Sequence, residues 1–109
     1  MPMNKVFAAT EPKRQEIDAL PGAVMIEFGA PWCAHCQGAQ PLIEAAFAGD
    51  PPVHHIKIED GPGRRLGRSF RVKLWPTLVF MKDGQEISRL VRPGDAETIV
   101  EALSGISGA

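Results

Sequence analysis

Both cysteines of this 109-residue chain fall in one tetrapeptide, Cys33-Ala34-His35-Cys36, between a short apolar run and a segment with helical spacing. That placement demands a fold in which a strand runs almost directly into the start of a helix. A disulfide between the two closes far too small a ring to staple the chain, so the core has to hold together without crosslinks. With 44% hydrophobic residues the chain has the material for that as one domain, expected to span residues 1–109.

A helix start also has chemical consequences. Unpaired backbone N–H groups and the helix dipole stabilise a thiolate on the first cysteine, so Cys33 is expected to ionise below a free thiol, and Cys36 is close enough to close a disulfide on it. Zinc is a poor alternative, because two sulfurs supply half of a tetrahedral shell and no second Cys-x-x-Cys or His-x-x-x-His completes it. Haem attachment requires a histidine after the second cysteine, where Gln37 stands. No metal or organic cofactor is expected. Twelve Lys and Arg against thirteen Asp and Glu leave a net charge of -1, which removes the electrostatic drive of a nucleic-acid binder. The segment Met1–Phe7 lacks the apolar core of a signal peptide, and no run of about 18 apolar residues occurs. A soluble, cytoplasmic protein with no membrane partner is expected, and in that compartment a lone Cys-x-x-Cys suits transient catalysis better than structure.

Periodicity orders the elements. Val24 to Phe28, between Pro21-Gly22 and Gly29-Ala30-Pro31, reads as a buried strand. From Cys36 to Phe47, Ala39, Leu42, Ile43, Ala46 and Phe47 recur at helical spacing, with Pro41 expected to kink the helix. Upstream, Lys5 to Ala8 reads as a first strand and Glu11 to Leu20 as a helix capped by Thr10. Downstream, Val53 to Ile58 reads as a strand and Pro62 to Phe70 as a short basic helix. Thr77 to Met81 and Glu86 to Val91 flank Asp83-Gly84, a strong hairpin signal. A last helix runs from Asp95, its cap, to Leu103, with Ile99, Val100 and Leu103 as its apolar stripe.

The stretch Ile26-Glu27-Phe28-Gly29-Ala30-Pro31-Trp32-Cys33-Ala34-His35-Cys36, then Pro41, Trp75-Pro76-Thr77 and Lys82-Asp83-Gly84, resembles the thioredoxin family in order and spacing over nearly the whole chain. The resemblance implies an α/β thioredoxin fold, a central mixed β-sheet flanked by helices, with the Cys-x-x-Cys facing a cis-proline loop. It implies that Cys33 attacks a substrate disulfide and that Cys36 resolves the mixed disulfide. Glu27 matches a buried acid, usually Asp, that relays a proton to or from the inner cysteine, and burial there requires a partner or a proton. His55 is a candidate partner; side by side on a strand, His54 and His55 face opposite ways, so at most one points inward. Trp32 matches the aromatic that shields the thiol and touches substrate. Trp75-Pro76 matches the cis-proline loop, whose free backbone at Trp75 would pair with an incoming peptide.

Several residues depart from the family pattern. Trp75 stands where a smaller residue is usual, Gly29 where a second tryptophan is common, and Arg92-Pro93 where a glycine lets partners approach, so the docking surface is expected to differ. His35 between the cysteines, as in the isomerase version of the motif, favours the Cys33 thiolate and thus a couple more oxidising than one with proline there. Arg64, Arg65, Arg68 and Arg71 form a basic face at helical spacing. The expected function is thiol:disulfide exchange with protein disulfides by a monomer that a separate reductase or oxidant recycles. The competing function is a redox-idle binding or chaperone-like module presenting Trp32 and Trp75.

Overall fold

The computed structural model describes residues 1–108. Seven-residue β1 (Ala23–Gly29) is the central strand, and all but its first residue are buried. β2 (His54–Glu59) lies parallel to it on one side; on the other, β3 (Thr77–Lys82) lies antiparallel to β1 and β4 (Gln85–Val91) antiparallel to β3, giving the order β2-β1-β3-β4. The sheet is mixed, as expected, and helices cover both faces.

Strand alternation assigns those faces. Met25, Leu78 and Phe80 point toward α2 (Ala34–Ala46) and α4 (Ala96–Ser107), where Ala39, Ile43, Phe47, Ile99 and Leu103 close the first core. Val24, Ile26, Phe28, Val79 and Met81 point the opposite way, against α1 (Arg14–Asp18) and α3 (Arg65–Ser69) through Ile17 and Leu66. Glu27 alternates with Met25 and therefore faces α2. Position 27 is thus placed by the pleat beneath the helix that carries the cysteines.

Four local expectations are corrected. Lys5 to Ala8 forms only an isolated bridge, Phe7 with Lys57. Helix α1 is shorter than its apolar spacing suggests: its N-cap is Lys13, not Thr10, because Pro12 disfavours helical geometry at Glu11. Glu11 is drawn instead to the Leu66 backbone N–H at the start of α3, and Glu16 Oε1 accepts from the Lys13 N–H at 2.9 Å. Helix α3 is likewise only five residues long. Val100 is 44% exposed, and Ile106 rather than Val100 completes the buried stripe of α4. Asp95 caps that helix as expected, accepting the Thr98 N–H at 2.8 Å.

The β3–β4 turn carries positive φ at both Asp83 (48°) and Gly84 (79°), the mirror-image geometry that suits hairpin twist. A side chain at Gly84 would also overlap the Asp18 carbonyl oxygen, so backbone conformation and space both demand glycine. We expect Gly84→Ala to destabilise the fold by more than about 1 kcal/mol. Gly105→Ala, in helix with open space around it, should stabilise by roughly 0.5–1 kcal/mol. Urea unfolding of the two variants checks this; equal midpoints would refute the account of the turn.

Candidate active site

Cys33 occupies the N-cap of α2 with extended backbone (φ -80°, ψ 119°), and its Sγ accepts the Cys36 N–H at 3.3 Å. The sulfur thus takes the place of a capping oxygen, and an N–H of the first turn points at it. Both cysteines are free thiols and both are buried, Cys33 8% and Cys36 3% exposed. Their environments differ. Burial, then the hydrogen bond to Cys33 and the charges of Cys33 and Glu27, push the Cys36 thiol up to about 12. Cys36 is therefore a neutral thiol across the physiological range.

The inner thiol comes this close to β1 because residue 29 is glycine. A Cβ there would lie 2.6 Å from Cys36 Sγ. The expectation that Gly29 alters a docking surface is corrected: Gly29 is buried, and its missing side chain serves internal packing against Cys36.

Glu27 is fully buried and does not reach the sheet edge. Its Oε1 accepts from His55 Nε2 at 2.8 Å and its Oε2 from Gln40 Nε2 at 2.8 Å. Lys57, its register partner on β2, holds Nζ 3.8 Å from Oε2 and donates to Gln40 Oε1 at 3.1 Å. The tautomer of His55 follows from the chain itself. The Asn4 backbone N–H donates to Nδ1 at 2.9 Å, so the ring proton lies on Nε2 and the hydrogen bond runs from His55 to the carboxylate. Of the adjacent histidines, His55 is buried and stacks on Phe47, while His54 is exposed. Gln40, Lys57 and Asn4 went unnoticed in the sequence. Period-two spacing from His55 to Lys57 is the signal that could have revealed Lys57, and the turn-apart spacing of Cys36 and Gln40 the one for Gln40, which also donates to the Cys36 carbonyl at 2.8 Å.

The loop before β3 lies across from α2. The Trp75–Pro76 bond is cis, and the Trp75 ring is fixed by donation from Nε1 to Asp60 Oδ2 at 2.9 Å. Trp32, 71% exposed, meets Trp75 edge-on at 5.6 Å between ring centroids. The expectation of a free Trp75 backbone is corrected at its carbonyl, which accepts from Arg92 Nε at 2.8 Å. Arg92 sits at positive φ (51°), and its own N–H donates to the Pro76 carbonyl at 2.9 Å, so the chain leaving β4 folds back onto the proline loop. His35 is exposed and, with Ala34, Gly38, Pro76, Arg92 and Pro93, lines a groove of about 320 Å³. Cys33, Cys36, Trp32, Trp75 and Pro76 are thus brought to one edge, with Glu27 buried behind them.

Two thiols of unequal environment at a helix start, opposite a proline loop, define a thiol:disulfide oxidoreductase. Residues 6–105 match the thioredoxin family. The thioredoxin of Chlamydia trachomatis is 34% identical over 83 residues, covering 76% of this chain and 81% of that protein. Protein disulfide-isomerase A2 of Homo sapiens is 38% identical over 87 residues, covering 74% of this chain and 17% of that longer protein. The structure of thioredoxin 2 from Pseudomonas aeruginosa in its reduced form is similar with a TM-score of 0.83 at 54% identity, covering 94% of this chain and 95% of that one. The chain belongs to the thioredoxin family.

If the Glu27 network has the bonding described, removing the His55 donor leaves a buried carboxylate oxygen unpaired. His55→Phe, which keeps the stack on Phe47, should cost about 1.5–3 kcal/mol. Denaturant midpoints at unchanged m-value decide it; a neutral His55→Phe would contradict the pairing.

Proposed function

We propose that the dithiol reduces protein disulfides, with Cys33 as the attacking and Cys36 as the resolving cysteine. The observation that carries the assignment is the asymmetry of the two sulfurs: Cys33 Sγ receives an N–H of the first helical turn, while burial and charge hold Cys36 as a thiol up to about 12. The Cys33 thiolate attacks one sulfur of the substrate disulfide; that S–S bond breaks, a Cys33–substrate disulfide forms and the first substrate thiolate leaves. Cys36 then loses its proton and attacks Cys33 Sγ. The second substrate thiolate departs, and the Cys33–Cys36 disulfide retains the two-electron oxidation until a separate reductase returns the electrons.

Glu27 is the proposed acceptor of the Cys36 proton. It is buried on the sheet face beneath α2, and its negative charge is among the causes that raise Cys36. Trp32 and Trp75 flank the attacking sulfur as substrate-contacting walls, Pro76 shapes the opposing loop, and Arg92 holds the Trp75 carbonyl. His35 tunes the Cys33 thiolate from the exposed first turn. The protein acts as a monomer in a reducing compartment, read as the cytoplasm from a cysteine content confined to the exchangeable pair. Among the described residues no helix is long and apolar enough to cross a membrane.

Alkylation of the reduced protein across pH tests the assignment. At neutral pH iodoacetamide should label Cys33 and leave Cys36, whose modification should rise only as the pH approaches about 12. Preferential labelling of Cys36 at neutral pH would overturn the two roles.

A further inference from the structure

Charge is unevenly distributed over this molecule. Residues 60–75 carry five basic side chains against one acid, whereas the rest of the chain carries seven against twelve. Elsewhere Lys5 pairs with Glu44, Arg14 with Asp18 and Arg89 with Glu86, while Lys13, Lys82 and Arg92, which have no carboxylate partner among the described residues, are scattered singly along the chain. Arg68, Arg71 and Lys73 are exposed, and among the described residues none of the three has a carboxylate within ion-pair distance.

These three cations line one groove of about 460 Å³ together with Arg64, Asp60 and Trp75. Helical spacing alone misassigns the cluster. Helix α3 ends at Ser69, so Arg71 lies beyond it at positive φ (57°), Lys73 joins the groove, and Arg65 lines a different depression beside Glu11. The acids within reach are already engaged: Asp60 accepts from Trp75 Nε1 at 2.9 Å, and Glu59 lies 3.6 Å from Arg64. Trp75 is shared with the redox centre, since its ring also meets Trp32, the residue before Cys33.

We infer that this groove receives acidic side chains of the polypeptide flanking a substrate's disulfide, so that the protein prefers acidic over basic substrates. The inference rests on the reduction of protein disulfides proposed above. Guanidinium groups present forked donors that fit carboxylates, and unpaired cations at the rim of a contact act mainly on encounter rate and partner choice. Such a preference is screened by salt.

Matched peptide disulfides carrying Glu, Gln or Lys beside the cysteine test it, with kcat/KM measured at low and high salt for the wild type and for Arg68→Glu/Lys73→Glu. The wild type should favour the Glu peptide over the Lys peptide by on the order of tenfold at low salt. Salt should compress that ratio, and the double variant should abolish or invert it. Equal rates in the wild type, or a ratio that survives in the double variant, would overturn the proposal. So would competition by a short oligonucleotide without discrimination among the peptides, which would assign the groove to phosphodiesters. Hydroxyethyl disulfide, which is uncharged, reads the dithiol separately. Failure of the wild type to reduce it would contradict the redox roles, and the groove would then be judged by tryptophan fluorescence: saturable binding of the Glu peptide, weakened in the double variant, supports it, and indifference to peptide charge refutes it.

Discussion

A carboxylate at the centre of a four-stranded sheet is expensive to bury, and much of the geometry around the dithiol is arranged to offset that cost. Glu27 is supplied with a donor from β2 through His55, a donor from α2 through Gln40, and a cation across the strand pair through Lys57. The Asn4 backbone fixes the tautomer of His55 from the other side of the ring. One buried charge thereby ties the N-terminal segment, β1, β2 and α2 together, and it does so behind Cys36.

The same arrangement separates the two thiols. Cys33 sits where a capping residue would, with a backbone donor aimed at its sulfur, whereas Cys36 is one turn into the helix, packed against Gly29 and raised by burial and neighbouring charge. An attacking sulfur must be ionised to react, and a second sulfur that stays a thiol does not compete with it for the substrate disulfide. The asymmetry follows from placing one cysteine at the N-cap and the other three residues on, under a strand whose residue 29 has no side chain.

Much of this was legible in the sequence, because the decisive features are local. The apolar run Val24–Phe28 before a turn, the cysteine spacing at a helix start, and Asp83-Gly84 between two strands each carry their own signal. The missed features depend on tertiary placement. Thr10 has the right chemistry for a cap, but Pro12 and the attraction of Glu11 to α3 move the helix start. Val100 has the right spacing for the stripe of α4 but lies just outside the buried face. His55 could be named as a partner of Glu27, whereas the Asn4 N–H, a backbone group 51 residues away, has no side-chain signature. The Arg92 contact to the Trp75 carbonyl likewise joins residues 17 apart, from a positive-φ position that nothing in a non-glycine residue announces.

Glu27 is proposed to serve the second half of the exchange and not the first. Rapid mixing of the reduced protein with a peptide disulfide resolves formation of the Cys33 mixed disulfide from its resolution by Cys36. In Glu27→Gln the first rate should match the wild type while the second falls, on the order of 10²-fold if general-base transfer carries the step. Equal rates for both steps in the two proteins at neutral pH would show that the buried carboxylate serves the fold alone.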